Sequence, residues 1–209
     1  MSTDSSPAVR RVALVLAGYT AEAGTPPGIA PHAFANSCLA DSYEVLADLV
    51  GVSAGIAGGG PVAEELLWPG GISVSDDGSC RSVAHELVDH ADELVLVPAD
   101  VPDLPGLVVA KVFKALQRAA ICVAPERGGS GCAALGVQLP WPDWLPDDLD
   151  LDDNPLVRLR ALAPESTRVA TGPEWHRMRT ASAIHRLDPG LEGWELTRAL
   201  LSGDTLEPG

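Results

Sequence analysis

The segment that most constrains the fold is a short apolar run at residues 94–98, Leu-Val-Leu-Val-Pro, which follows Glu93 and is followed by Ala99 and Asp100. β-Branched residues without polar alternation are typical of a strand buried on both faces, as in a parallel sheet. Asp100 then falls at the carboxyl end of a central strand, where open α/β sheets place their ligand crevice. A carboxylate at that edge can bind Mg²⁺; alternatively, it can cap the following helix or close a turn.

Apolar runs alternate with helical patterns along the rest of the chain. Strands are expected at residues 11–18, 50–56, 72–74, 94–98, 120–124, 133–137, 168–171 and 184–187. Helices are expected at residues 34–49, 61–68, 82–90, 107–118, 155–163, 174–181 and 190–201. This alternation predicts an α/β fold with a mostly parallel sheet and helices on both faces.

The domain organisation follows from the same pattern. We expect a single domain over residues 1–209, with polar tails at 1–9 and 204–209. A boundary near residue 106 divides it into a nucleotide-side half (10–106) and an acceptor-side half (107–203). The acidic, Pro-rich stretch 141–155 is expected to be a mobile surface excursion.

Composition limits the classes of partner. The chain has 209 residues, a net charge of −15 and only two lysines. Nucleic acid and anionic membranes are therefore poor partners, because phosphate contacts need clustered Lys and Arg. No apolar run approaches the ~20 residues that cross a bilayer, and no signal peptide precedes the first strand, so we expect a cytoplasmic location.

Three segments, taken in order, resemble the small GT-A-type nucleotide-dependent transferases. This superfamily includes molybdenum-cofactor guanylyltransferase, phospholactate guanylyltransferase and bacterial glycosyltransferase-like proteins. The matching segments are a strand with its Asp at 95–104 (VLVPADVPDL), a glycine loop and returning strand at 121–137 (ICVAPERGGSGCAALGV), and an Asp before a terminal helix at 184–200 (IHRLDPGLEGWELTRAL). The resemblance implies a three-layer α/β/α, Rossmann-like GT-A fold with a mostly parallel central sheet.

The resemblance also implies a metal site. Asp100 and Asp188 are similar in position to the carboxylates that perform catalysis and hold magnesium in the family, with Asp188 at the end of the last strand. Asp103 lies in the same motif, but a turn or helix N-cap role is more typical of an Asp in its position. In such a site the metal neutralises the pyrophosphate leaving group while an acceptor oxygen attacks.

Other positions match the family's ligand contacts. By resemblance, Ala17, Gly18 and Asp100 contact the nucleotide. Gly128 and Gly129 allow the backbone to approach the acceptor or phosphates without a Cβ in the way. Arg127 supplies a positive charge to phosphate oxygens or, alternatively, is an exposed loop arginine.

The loop after the first strand departs from the family pattern. Residues 17–33 keep three glycines, contain no Lys or Arg, and add Glu22. His32 is the one candidate positive group there, and it is mostly neutral at pH 7. Phosphoryl transfer needs fixed positive charge where negative charge develops. That charge has to come from Mg²⁺ and backbone N–H groups, or from arginines elsewhere, namely Arg81, Arg127, Arg177, Arg179 and Arg186.

Two functions are therefore open from the sequence. The first is a Mg²⁺-dependent nucleotidyl- or glycosyltransferase with a nucleotide or nucleotide-sugar donor. The second is a non-catalytic relative that acts as a binding or scaffold protein, as a homodimer, because no Lys or Arg lies between Arg11 and Arg81. A lesser third option is an unrelated doubly wound protein with a small uncharged ligand. Arg177 and Arg179 form a local basic group that faces an anionic acceptor or makes surface ion pairs.

Overall fold

A computed structural model describes residues 8–75 and 79–203. The first seven residues and the predicted tail at 204–209 lie outside the described residues. Within the two described ranges, seven strands form one sheet in the order β3-β2-β1-β4-β6-β5-β7. The strands are β1 Arg11–Leu16, β2 Ser53–Ala57, β3 Ile72–Val74, β4 Glu93–Pro98, β5 Ile121–Pro125, β6 Cys132–Gln138 and β7 Val169–Thr171. The pairs that β6 makes with β4 and β5 are antiparallel, and the other described pairs are parallel.

Helices cover both faces of this sheet. They are α1 Pro31–Ala47, α2 Gly60–Leu66, α3 Cys80–Glu86, α4 Gly106–Leu116, α5 Pro155–Leu162 and α6 Glu195–Ser202. Helices α1, α2 and α4 pack on one face, and α3 and α5 pack on the other. The predicted α/β fold, with a mostly parallel sheet between helical layers, is confirmed. No helix in the described ranges is long and apolar enough to cross a membrane.

Strand β4 lies between β1 and β6, and every one of its residues is buried. Leu94 and Leu96 pack toward α3, whereas Val95 and Val97 pack toward α1 and α4. Each such side chain contributes about 1.5–3 kcal/mol when it leaves water. Burial on both faces is the reason the run has no polar alternation, and it places Asp100 at the carboxyl edge of the sheet.

Two predicted elements near the C-terminus are wrong. Residues 174–179 are extended rather than helical, and a 3-10 helix, Ala181–Arg186, replaces the strand predicted at 184–187. Trp175 N donates to Pro125 O at 3.0 Å and Met178 N donates to Asp100 O at 2.8 Å. These long-range backbone bonds take the donors that a local helix would have used. The segment therefore lies across the carboxyl ends of β4 and β5.

The acidic stretch 141–155 is not only a surface excursion. Its leucines Leu145, Leu149 and Leu151 are buried in the core on the α3 side. Exposed acidic residues alternate with these leucines. Because the acidic residues dominate the composition, the sequence did not indicate that the stretch packs against the core. This stretch brings Asp152 to the carboxyl edge of the sheet.

Asp41 fixes the C-terminal helix to α1. Its buried carboxylate accepts from Leu196 N at 3.0 Å and from Thr197 N at 2.8 Å. Both donors belong to the first turn of α6, where backbone N–H groups have no partner within the helix. Burial raises the pKa of Asp41 to about 6, with hydrogen bonds from α6 acting in the opposite direction.

Removal of this anchor should destabilise the protein. Asp41→Ala leaves two N–H groups of α6 without their acceptor, and we expect the free energy of unfolding at pH 7 to fall by about 2 kcal/mol. Urea denaturation measures the change. Asp48→Ala, an exposed position at the end of the same helix, is the matched control and should change the value by less than about 0.5 kcal/mol. Equal effects of the two substitutions would contradict the anchoring role.

Candidate functional site

A cleft of about 290 Å³ opens at the carboxyl ends of β1, β2 and β4. Ala17, Gly59 and Ala99 line it from the strand ends, and Asn36 and Leu39 line it from α1. Because β2 and β4 lie on opposite sides of β1, the strand order reverses here. Such a reversal is where doubly wound sheets bind their ligands. We therefore take this cleft as the candidate ligand site.

A cleft of about 330 Å³ lies at the opposite, amino-terminal end of the sheet, near Arg11, Phe113 and Lys114. It is slightly larger, but it lies at the amino-terminal ends of β1 and β2, away from Asp100. We favour the carboxyl-end cleft because open α/β sheets bind ligands at that edge.

The candidate cleft is uncharged apart from one acidic group. No Lys or Arg is present in its described lining, which contains Glu22 as its single charged residue. Ala17, predicted to contact a nucleotide, lines the cleft; Gly18 is exposed beside it and is not part of that lining. A nucleoside or sugar fits this chemistry better than a phosphate, because Glu22 would repel an anion.

Asp100 is held by an arginine. Arg177 Nε donates to Asp100 Oδ1 at 2.7 Å and Arg177 Nη2 donates to Asp100 Oδ2 at 3.0 Å, a bidentate pair. Both residues are almost fully buried, at 1% and 2% exposure. Burial raises the pKa of Asp100 to about 6, although the Arg177 charge acts against the shift. For Arg177, burial acts to lower the pKa, but the charge and hydrogen bonds of Asp100 together with the charge of Asp152 outweigh it and raise the pKa.

The pair extends into an ion-pair chain of alternating sign: Asp100, Arg177, Asp152, Arg179 and Glu126. Arg177 Nη1 donates to Asp152 Oδ1 at 2.5 Å, and Arg179 links Asp152 to Glu126 at 3.4 and 3.1 Å. Carboxylates from three separate segments thus share two guanidinium groups. The ion-pair chain joins the end of β4 to the glycine loop.

Asp103 lies in a turn, one of its two expected roles, and is not a helix cap. Helix α4 has Pro105 at its N-cap and receives no side-chain bond there. The Asp103 carboxylate accepts from Trp175 Nε1 at 3.1 Å and from Asp188 N at 3.3 Å, and it contacts His176 Nε2 at 2.9 Å. Asp103 therefore fastens the two ends of the C-terminal segment to the loop after β4.

Asp188 lies apart from the ion-pair chain. It is exposed, it follows the 3-10 helix rather than a strand, and its Oδ1 accepts from Gly190 N at 2.8 Å. Across the described ranges, no group of three or more His, Cys, Asp or Glu side chains is placed to hold a metal ion. Because both Asp100 oxygens already accept from Arg177, the residues around Asp100 do not fit a metal ion in this arrangement. The magnesium role of Asp100 and Asp188 stays a prediction from resemblance.

Two exposed arginines lie at the glycine loop, residues 126–131: Arg127 belongs to the loop, and Arg186 ends the neighbouring 3-10 helix. Gly128 has φ +75°, and Arg186 Nη1 donates to the Arg127 carbonyl at 3.2 Å. The Arg127 side chain is 55% exposed and is 3.8 Å from Glu174, while Arg186 has no carboxylate partner among the described residues. A Cβ on Gly129 would overlap the Glu126 carboxyl group, so this glycine allows Glu126 to fold back to Gly131 N. Arg127 of the loop and Arg186 of the 3-10 helix thus lie side by side at this edge of the sheet.

Sequence analysis missed the pairing of Arg177 and the part played by Asp152. Arg177 and Asp100 are 77 positions apart, so no spacing in the chain connects them. One signal was present, because Arg177 stands among the large residues Trp175, His176 and Met178, which is atypical of an exposed arginine. Its partner Asp152 was concealed in the acidic stretch.

The fold has clear counterparts among solved structures. A candidate nucleotide-diphospho-sugar transferase from Desulfovibrio desulfuricans G20 is 17% identical, with a TM-score of 0.61 over 96% of this chain and 100% of that one. A 4-diphosphocytidyl-2C-methyl-D-erythritol synthase from Anaerococcus prevotii is 8% identical, with a TM-score of 0.54 over 85% and 94%. Rv0371c from Mycobacterium tuberculosis, in a complex with manganese, is 16% identical, with a TM-score of 0.52 over 94% and 100%.

These similarities establish the fold. The protein shares the three-layer α/β/α, GT-A-like fold of these structures, which is the fold that the resemblance implied. No family model matches the chain, and no curated protein matches it in sequence.

The burial of Asp100 predicts a pH dependence of stability. Its pKa in the folded protein is raised above the ordinary value of 3.8 to about 6, so the folded state binds the proton more tightly than the unfolded state. The free energy of unfolding should therefore fall as the pH rises from about 4 to above 6, by about 2–3 kcal/mol from this group. Denaturation of wild type and Asp100→Asn at each pH measures the difference in slope.

The comparison isolates Asp100, because Asp41 is present in both proteins and its contribution cancels. Asp100→Asn should be less stable throughout but should show the shallower decline with pH. A decline as steep as that of wild type would show that Asp100 does not titrate in this range.

Proposed function

We propose that the protein is a nucleotidyltransferase-like protein that binds a nucleotide or nucleotide sugar in the cleft at the ends of β1, β2 and β4. The observation that carries the proposal is the position of this cleft, at the strand-order reversal of a GT-A-like sheet. The similar solved structures are named for reactions of nucleotide-diphospho-sugars and diphosphocytidyl compounds. In this proposal residues 10–106 form the nucleotide-side half and residues 107–203 the acceptor-side half.

The charge distribution orients the ligand. The cleft lining contains Glu22 and no cation in its described residues, so it suits the base and ribose. Glu22, which lines the cleft, begins the 3-10 helix Glu22–Gly24, and this helix packs against the 3-10 helix that ends with Arg186. Phosphates that extend past Glu22 therefore approach Arg127 and Arg186 at the glycine loop. Fixed guanidinium groups there can stabilise a pyrophosphate leaving group.

Transfer in this site means attack of an acceptor oxygen on a phosphorus or sugar carbon of the donor, with a phosphate-containing group leaving. Arg127 and Arg186 would bind the leaving group, and Gly128 would let it approach the backbone. No step is assigned to Asp100, because its carboxylate is engaged by Arg177.

The non-catalytic function stays a second candidate, and the engagement of Asp100 is the observation that favours it. A protein of this kind would bind a nucleotide without turnover, and the predicted homodimer belongs to this candidate. Release of pyrophosphate or nucleoside diphosphate in the presence of a bound donor separates the two. Binding without release would favour the non-catalytic protein.

A bulky residue in the cleft should abolish nucleotide binding. Ala35 lines the cleft from α1 and is partly exposed, so Ala35→Trp fills the space without entering the core. A thermal-shift screen of nucleoside diphosphates, triphosphates and nucleotide sugars identifies the ligand on wild type. The stabilisation should be lost in Ala35→Trp.

The matched control for this test is Ala110→Trp, which places the same side chain in the cleft at the opposite end of the sheet. It should retain the wild-type shift. A shift that survives Ala35→Trp but is lost in Ala110→Trp would move the site to the other cleft, and no shift with any nucleotide would contradict nucleotide binding.

Arg186 should contribute to phosphate affinity. Because its guanidinium has no carboxylate partner among the described residues, it is available to an anion. For the ligand found in the screen, we expect Arg186→Ala to weaken binding about tenfold, which is ~1.4 kcal/mol. The corresponding nucleoside without phosphates should bind both proteins equally, as measured by calorimetry.

Arg118→Ala removes the same charge from the exposed end of α4 and controls for net charge. If both substitutions weaken binding equally, the effect is long-range electrostatics and Arg186 does not contact the phosphates.

A further inference from the structure

The guanidinium of Arg177 lies among oxygen atoms that resemble the ligand set of a hard cation. Its three nitrogens bond to both oxygens of Asp100, to Oδ1 of Asp152 and, at 3.2 Å, to the carbonyl of Cys132. Carboxylates and a backbone carbonyl are the donors that Mg²⁺ and Mn²⁺ prefer. In this protein each of those oxygens already accepts from an N–H group.

The arginine is fixed in that position on every side. Its guanidinium is 5.6 Å from the centre of the Tyr19 ring, and its residue is 2% exposed. Met178 N donates to the Asp100 carbonyl at 2.8 Å, so the backbone next to Arg177 is bonded to the same strand end as its side chain. A metal ion could reach Asp100 only after this segment had separated from β4.

We propose that Arg177 is a built-in replacement for a divalent cation, and that the Asp100 position of this chain takes no metal. Most of the negative charge is neutralised locally, since Arg177 and Arg179 provide two positive charges for the three carboxylates of Asp100, Asp152 and Glu126. A guanidinium keeps its proton at any physiological pH, so this charge is permanent. Its planar fork also satisfies both carboxylate oxygens at once, which a lysine ammonium does not do.

One consequence concerns nucleotide binding, and it rests on the proposed function. If the cleft binds a nucleotide, its affinity should be the same in Mg²⁺ and in EDTA. The main test needs no nucleotide, so its outcome is independent of the ligand in the cleft.

That test is a Mn²⁺ titration followed by electron paramagnetic resonance of the free ion. Wild type, Asp100→Asn and Asp152→Asn should bind Mn²⁺ equally weakly, through surface carboxylates alone. Arg177→Ser removes the guanidinium and leaves Asp100, Asp152 and the Cys132 carbonyl around the vacated space. It should gain one site per chain, with roughly tenfold tighter binding than wild type, which is ~1.4 kcal/mol.

Two double variants identify the gained site. Arg177→Ser with Asp152→Asn should lose it, whereas Arg177→Ser with Asp153→Asn, an exposed neighbour, should keep it. Circular dichroism shows which variants fold. A folded Arg177→Ser protein without the extra site overturns the proposal.

If Arg177→Ser does not fold, the comparison of wild type with Asp152→Asn and Asp100→Asn tests the proposal instead. Equal Mn²⁺ binding by wild type and Asp152→Asn, a half-exposed position, supports the proposal. A wild-type Mn²⁺ site that is lost with Asp152 or with Asp100 overturns it.

Discussion

The bidentate pair between Asp100 and Arg177 determines the arrangement of this edge of the sheet. Without its partner, either charge would destabilise the folded protein, because burial to 1–2% exposure removes the water that hydrates it. Paired, they join the end of β4 to the extended segment 174–179, and through Asp152 they join both to the acidic stretch. Removal of one partner would leave the other buried and uncompensated, which costs several kcal/mol in other proteins. The loop after β1 packs against the same segment. The backbone of Gly24 lies so close to the Met178 carbonyl that a Cβ at position 24 would overlap it.

In this arrangement the surface that suits a base and ribose is separate from the surface that suits phosphates. The resemblance would place both at one metal centre. The cleft beside Ala99 is nearly neutral in its described lining and suits a base and ribose. Positive charge is concentrated instead around the glycine loop, in a chain whose net charge is −15. Arg177 and Arg179 are bonded to carboxylates within the ion-pair chain, Arg127 makes an exposed pair with Glu174, and Arg186 has no carboxylate partner among the described residues. If the arginines at the glycine loop bind the phosphates, phosphate binding needs neither cations in the loop after β1 nor a metal at Asp100.

The sequence predicted the parts of the fold that depend on local pattern. Buried strands such as 93–98 are visible because two covered faces demand an unbroken apolar run. The extended segment at 174–179 was not predictable, because its backbone donors bond to residues about fifty to eighty positions away. The same distinction between local pattern and distant contacts applies to the candidate site. Asp100 was identified from its place after a strand and Arg177 was named as a candidate cation, but the pairing of Arg177 with Asp100 and Asp152 was not predicted, since an ion pair between distant segments leaves no periodic pattern in the sequence.

The most direct measurement of the central claim is nuclear magnetic resonance of the Arg177 Nε–H group in the intact protein. A guanidinium that is buried and bonded to Asp100 should give a resolved signal with slow hydrogen exchange. The account predicts that this signal keeps its position and its exchange rate when Mg²⁺ is added. Loss of protection, or a shift that saturates with Mg²⁺ and is absent in Asp100→Asn, would show that a metal ion displaces the arginine and would contradict the account.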